Sequence, residues 1–379
     1  MHQPTSTLRN ISRRQFTTGA LGIGALGALS ACGNSSPSTG AASAPQGSNN
    51  GGSRTCDYAN KGMDFFFFVA QSESIKRATE ALGLDFQTSD AKQDASAQFN
   101  NWNSALLQNP RWIISDPIDS EALAPLTQRA KNQHTPVGII DTPLTAGVAD
   151  FTIAFDNRRG GEMAAEKIVE LLKKKYGAPR GRVLNCYGAL SSFAWRLRKE
   201  GFEAVLAKYP GIQLISRPTE GAETTARAVA ASTLSQYPDL DAAHAPSDSI
   251  TRGILTSLKG AGKAIPAGQA NHVILTSIDG EPQSLDWARQ GLLDAEVSQD
   301  PVAYGQICVE MLEKYSGKGK PVPLNPYVNK KYFWETAPVV QGPVGPNCII
   351  PPYYIDATNV EDPRQWGNVV TKQWGMKQT

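Results

Sequence analysis

The chain has 379 residues, enough for two domains with a sizeable core in each. Its formal charge is +2 with both signs interspersed, so it carries no polyanion-binding footprint, and nucleic acid is not an expected partner. The cysteines Cys32, Cys56, Cys186, Cys308 and Cys348 form no CxxC pair and the four histidines are scattered, so neither a metal nor a cofactor is expected.

Residues 1–32 read as a targeting segment, to be left out of fold reasoning. Ser12-Arg13-Arg14-Gln15-Phe16 resembles the twin-arginine export motif. The apolar run from Ala20 to Ala28 is too short to span a bilayer comfortably. Its glycines follow no strand and do not form a dinucleotide loop. Leu29-Ser30-Ala31-Cys32 resembles the lipobox of bacterial lipoproteins, which implies that Cys32 becomes a lipidated N-terminus. The mature protein is then expected on the outer face of the cytoplasmic membrane. Residues 33–54 are Gly, Ser, Asn, Ala and Pro with almost no apolar bulk, the composition of a flexible tether spanning roughly 25 Å.

From about residue 84, short apolar strands alternate with amphipathic helices. Strands are expected near 84–90, 111–116, 137–141, 151–156, 182–187, 212–217, 242–246, 272–278 and 294–298. Met163, Ile168, Leu171 and Leu172 line one face of a helix that stops at Gly177, with Pro179 beyond. This βαβα order predicts parallel sheets with helices on both faces, and nine strands suit two sheets better than one. Pro136-Val137-Gly138-Ile139-Ile140 reads as a strand buried on both faces, ending at Asp141 and Thr142. Ligands of open α/β sheets sit beyond such strand ends, although a strand-end aspartate can equally cap a turn.

Several short stretches occur in one order. They are Asp116-Pro117-Ile118-Asp119-Ser120-Glu121-Ala122, Thr135 to Asp141, Asp156-Asn157 with Gly160-Gly161, and Arg196 with Arg198, Gly201 and Phe202. Tyr237-Pro238-Asp239 with Asp248, Ile278-Asp279-Gly280 and Gln299-Asp300-Pro301 follow. Together, over roughly residues 65–330, the chain resembles the type I periplasmic binding proteins of the ribose- and galactose-binding group, which serve sugar ABC importers.

The resemblance implies two similar lobes, each a parallel sheet flanked by helices, joined by a hinge of three crossings. The crossings are expected near Phe155-Asp156, Gln299-Asp300 and Asn329. Residues 55–155 with 300–328 would form the N-terminal lobe and 156–299 with 329–345 the C-terminal lobe. Residues 346–379 would form a C-terminal extension whose aromatics pack on the body.

It also implies a ligand site. Asp141 and Asp279 would accept hydroxyl protons from opposite lobes, Arg196 would donate to ring and hydroxyl oxygens, and Gln299 at a crossing would do both. A polyol presents many groups that donate and accept, so charged side chains forming strong planar hydrogen bonds suit it. Thr142 stands where the family often has arginine and Ser247 where it often has asparagine. Both are expected in the site, and both leave the sugar or sugar alcohol undefined. Phe67 and Phe68 align with the family's aromatic pair that stacks on sugar. By propensity, however, Met63 to Ala70 is itself the first strand, because Arg54 to Met63 is polar for a central one. The four phenylalanines are then core, and Gln71 or Ser72 faces the cleft.

Cys56 and Cys348 lie outside the family core, in an oxidising compartment, and are expected to pair as a disulfide. The resemblance implies a small sugar or polyol ligand, an ABC transporter permease as partner, and a membrane reached through the N-terminal lipid. A sensor input with the same fold and a twin-arginine-exported enzyme are the alternatives. Against the enzyme, the sequence has no nucleophile elbow, zinc motif or phosphate loop.

Overall fold

The computed structural model describes residues 52–378. The twin-arginine motif, Cys32 and most of the tether lie outside the described residues. Among those described, no helix is long and apolar enough to cross a membrane.

The first lobe begins with β1 (Thr55–Asn60), α1 (Phe66–Glu80), β2 (Asp85–Asp90), α2 (Ala95–Leu107), β3 (Trp112–Ser115), α3 (Ala124–Asn132), β4 (Val137–Ile140) and β5 (Phe151–Phe155). The second contains α4 (Asn157–Tyr176), β6 (Gly181–Tyr187), α5 (Phe193–Leu206), β7 (Ile212–Pro218), α6 (Glu223–Gln236), β8 (Ala242–His244), α7 (Asp248–Gly260), β9 (Ile274–Asp279), α8 (Pro282–Arg289) and β10 (Ala295–Ser298). The chain then returns through α9 (Pro301–Lys314), which packs on α1, β4 and β5. Gly138 leaves the space on β4 that the Cys308 thiol of α9 occupies. The expected stop of α4 is present: Gly177 takes the left-handed conformation at φ 73°, and at the other end Asp156 accepts from the Arg159 amide.

Five short strands follow: β11 (Tyr327–Val328), β12 (Thr336–Ala337), β13 (Val339–Gln341), β14 (Pro346–Ile350) and β15 (Tyr354–Ile355). The first sheet runs β13-β14-β5-β4-β3-β1-β2 and the second β15-β10-β9-β8-β6-β7. Both are parallel except for β13 and β15, which pair antiparallel at one edge of each. The strands expected from residue 84 onward are present within a few residues of their expected ends.

Four expectations are corrected. First, Thr55–Asn60 is a central strand between β2 and β3, and the phenylalanine run opens α1 instead of forming a strand. The buried Tyr58 of β1 is accommodated because it is paired: it donates to Asp116 at 2.9 Å and receives the Gln71 side-chain amide at 2.7 Å. Gln71 is thereby enclosed beneath the sheet end, and it does not line the cleft.

Second, residues 339–341 belong to the first lobe, since β13 and β14 extend the first sheet beyond β5. Third, the last crossing lies at 351–353, where Pro351-Pro352 cannot continue a ladder, and not near Asn329. The extension proper therefore begins after β14.

Fourth, Cys56 and Cys348 form no disulfide; both are free and buried. They lie on β1 and β14 of one sheet, with β3, β4 and β5 between them. Four strand spacings are about 19 Å, far beyond the roughly 7 Å limit for bridging Cα atoms.

Candidate ligand-binding cleft

The carboxyl ends of both sheets face a cleft of about 400 Å³. From the first lobe, Asp141 follows β4 in a left-handed conformation, φ 60°. That conformation is uncommon for a residue with a side chain. One carboxylate oxygen of Asp141 accepts from Lys61 Nζ at 2.7 Å and Thr142 Oγ1 at 2.8 Å. The other accepts from Gln299 Nε2 at 2.5 Å. Burial pushes the Asp141 carboxyl up, but Lys61, Arg198 and these hydrogen bonds outweigh it, and the net shift is downward. Asp141 is thus held as a carboxylate.

Lys61 lies immediately after β1. Its backbone N–H donates to Asp116 at 3.0 Å, and its ammonium sits 4.9 Å from the Phe68 ring centre. Thr142 stands where the resemblance implies an arginine, and leaves that role to a cation that reaches Asp141 through space from the end of β1.

In the second lobe, Arg198 projects from α5. Its Nε donates to Asn157 at 2.7 Å and its Nη1 to the Pro246 carbonyl at 2.6 Å. Nη1 also lies 3.6 Å from the Asp279 carboxylate, and Nη2 donates to the side-chain carbonyl of Gln299. Gly161 and Gly201 let α4 and α5 approach until each glycine faces backbone of the other helix. That close approach lets Asn157 reach the arginine. Asp279 ends β9 at φ 143° and accepts from the Asp248 amide at 3.1 Å. Burial raises its carboxyl well above the usual range, and Arg198 pulls it back only in part. Gln299 therefore joins the lobes, in an unbroken line Lys61, Asp141, Gln299, Arg198, Asp279.

Phe67, Phe68, Asp141, Thr142, Ser247, Asp279 and Gln299 all line the cleft. Arg196 does not. Its guanidinium lies over the Phe193 ring at 5.3 Å, and the arginine in the cleft is Arg198. Residues two apart on a helix point about 200° apart, so only one of the two can face inward. Arg198 shares the inward face with Gly201 and Phe202, at i+3 and i+4, and that spacing was a usable signal. Trp195, three residues earlier on that face, was also missed. It supplies the second lobe's aromatic surface. Lys61 gives no signal in the sequence because Arg54 to Met63 is polar for a central strand. Glu281 was missed as well: it accepts from the Phe67 amide across the cleft at 3.2 Å and from Arg252 at 3.1 Å. Among the described residues, no group of His, Cys, Asp and Glu side chains is arranged to hold a metal ion.

A model of the periplasmic binding protein domain matches residues 57–321. The chain belongs to the periplasmic binding protein family. Among curated relatives, it is 27% identical over 248 residues to the ribose import binding protein RbsB of Salmonella typhimurium, covering 65% of this chain and 80% of that one. It is 26% identical over 255 residues to a D-apiose import binding protein of Paraburkholderia graminis, covering 67% and 78%. Among solved structures, a Bacillus halodurans solute-binding protein with bound myo-inositol superposes with a TM-score of 0.69 at 19% identity, covering 83% of this chain and 98% of that one. The fold is the two-lobe type I arrangement. These relatives of the family are named as binding proteins for import, and the periplasmic binding protein described here is a substrate-binding protein, not an enzyme. Its place is outside the cytoplasm.

Proposed function

We propose that this chain is the lipid-anchored, ligand-capturing component of a sugar ABC importer, and that it holds one uncharged polyhydroxylated molecule, a monosaccharide or sugar alcohol, in the interlobe cleft. The observation that carries this is the line of donors and acceptors across the cleft. Lys61 pairs with Asp141, and Arg198 reaches both Gln299 and Asp279, so each cation of the line already has polar partners while strong hydrogen-bonding groups remain. A neutral ligand rich in hydroxyl groups uses such pairs without bringing a charge to be desolvated. Phe67, Phe68 and Trp195 add ring surface for the apolar faces of a sugar. The relatives named for ribose and D-apiose import and the neighbour holding myo-inositol fit this chemistry. Ligand held from both lobes favours the closed state through those differential contacts. The ligand is then handed to a membrane permease, with Cys32 as the lipid attachment.

Calorimetry of the mature protein against pentoses, hexoses and sugar alcohols tests the proposal. One member should bind with 1:1 stoichiometry. Tight binding confined to charged solutes, such as amino acids or phosphates, would overturn it.

A further inference from the structure

The extension after β15 lies beyond the family match, which ends at residue 321, yet it reaches the floor of the cleft. Trp366 is buried to 1% exposure. Its indole N–H donates to the Asp279 carbonyl oxygen at 2.9 Å, and the Gln299 amide donates to the same oxygen, also at 2.9 Å. Both lone pairs of that carbonyl are thus occupied, at a residue whose φ of 143° side chains rarely adopt. The other face of Trp366 meets the first lobe. Its ring is edge-on to Phe67, centroids 5.8 Å apart, and stacked on Phe66 at 6.5 Å.

The segment is fastened to the second lobe. Arg289 of α8 reaches Glu361 at 2.5 Å and Asn368 at 3.3 Å, and Gln378 accepts from the Gln283 amide at 2.9 Å. It touches the first lobe again farther along α1, where the Arg77 guanidinium lies 4.9 Å from the Trp374 ring. Gly280 and Gly367 permit the approach: a β-carbon on Gly367 would lie 2.7 Å from the Gly280 carbonyl oxygen.

We infer that Trp366 is a positioning residue of the cleft, holding an aromatic ring of one lobe and a carboxylate-bearing backbone of the other in register, so that the C-terminal segment biases the lobes toward the ligand-holding arrangement. This rests on the interlobe ligand site proposed above. Trp366 does not line the cleft, so it acts through Phe67 and Asp279 and not on ligand directly.

Two variants of the full mature chain test it. Trp366→Phe keeps a ring against Phe66 and Phe67 but loses the N–H. Phe66→Ala removes the first-lobe stack from a residue that is half-buried and outside the cleft lining. With the ligand identified by calorimetry, each variant should bind about five- to tenfold more weakly, mainly through faster dissociation. The double variant should be no worse than the weaker single one, because both break one linkage. X-ray scattering should show ligand-free Phe66→Ala to be more extended than the parent. Should Trp366→Phe fold poorly, Phe66→Ala decides alone. A parent that binds while both variants keep its affinity and dissociation rate would overturn the inference. A parent that binds no polyol would instead sink the proposed function, and the scattering comparison would still decide whether the segment couples the lobes.

Discussion

Gln299 donates its side-chain amide to Asp141 at 2.5 Å while its side-chain carbonyl receives Arg198. One neutral side chain at a crossing thus links a first-lobe carboxylate to a second-lobe guanidinium. A ligand bound as proposed would meet groups already oriented by one another, so that little ordering would remain to be done on binding.

The cleft arginine is testable against its neighbour two residues away. Arg198→Lys keeps the charge but loses the fork that reaches Asn157, Pro246 and Gln299, and Lys does not replace it at such a site. Losing charge-assisted hydrogen bonds worth about 1.5–3 kcal/mol should weaken binding roughly ten- to a hundredfold. Arg196→Ala should bind like the parent. Calorimetry on the two proteins checks both, and the reverse pattern would restore Arg196 as the ligand donor.

Lys61 is the nearest cation to Asp141 in the cleft. Lys61→Met should cost a similar ten- to a hundredfold in affinity. It should also let the Asp141 carboxyl rise toward its ordinary range, so that the loss grows as the pH falls toward 4. Affinity measured from pH 7 to pH 4 in parent and variant checks this. Parallel profiles would show that Lys61 does not hold Asp141 ionised.

Several enclosed carboxyls make stability depend on pH in one direction. Burial, reinforced by Asp248, pushes Glu281 up to about 7, and burial raises Asp116 to about 7 and Asp300 to about 6. Between the ordinary carboxylate range and neutrality these groups bind more protons folded than unfolded, so stability falls as pH rises. Asp141 opposes this only in acid, because its lowered folded value puts the loss at the low end. The ligand-free melting temperature should therefore decline from about pH 5 to pH 7, and Glu281→Gln should flatten the decline. Scanning calorimetry of both proteins checks the slopes.

The cysteines should behave as buried thiols. Burial lifts Cys56, Cys186 and Cys348 each to about 12, so their reactive thiolate forms are scarce. A thiol reagent should leave Cys56, Cys186, Cys308 and Cys348 unmodified in the folded protein and modify all four on unfolding without reductant. Peptide mapping that recovers Cys56 linked to Cys348 would refute this.

The lipid anchor is tested apart from binding. Cys32→Ala should release the protein from membranes in cell fractionation while its ligand affinity is unchanged. A variant retained as firmly as the parent would show that something other than Cys32 holds it.

The amino-acid sequence by itself determined the layered α/β architecture, because buried parallel strands such as Val137–Ile140 are continuous apolar runs that register in any window. It also marked Asp141, since a polar residue that abruptly ends such a run stands out, while Asp279 and Gln299 were marked through the family resemblance of the motifs around them. What it left undecided were features created by through-space pairing. Thr55–Asn60 is held as a central strand between β2 and β3, where its Tyr58 finds Asp116 and Gln71, residues 58 and 13 positions away. Lys61 became part of the site with it. Arg198 displaced Arg196 through a rotation about the helix that small residues on two helices allow. Cys56 and Cys348 were separated by the strand order, which no local pattern encodes. Trp366 reached the cleft floor because the last crossing carried the chain back over both lobes. For Tyr58, Lys61, Arg198 and Trp366, buried polar groups find partners far along the chain, and only the folded arrangement sets which partners those are.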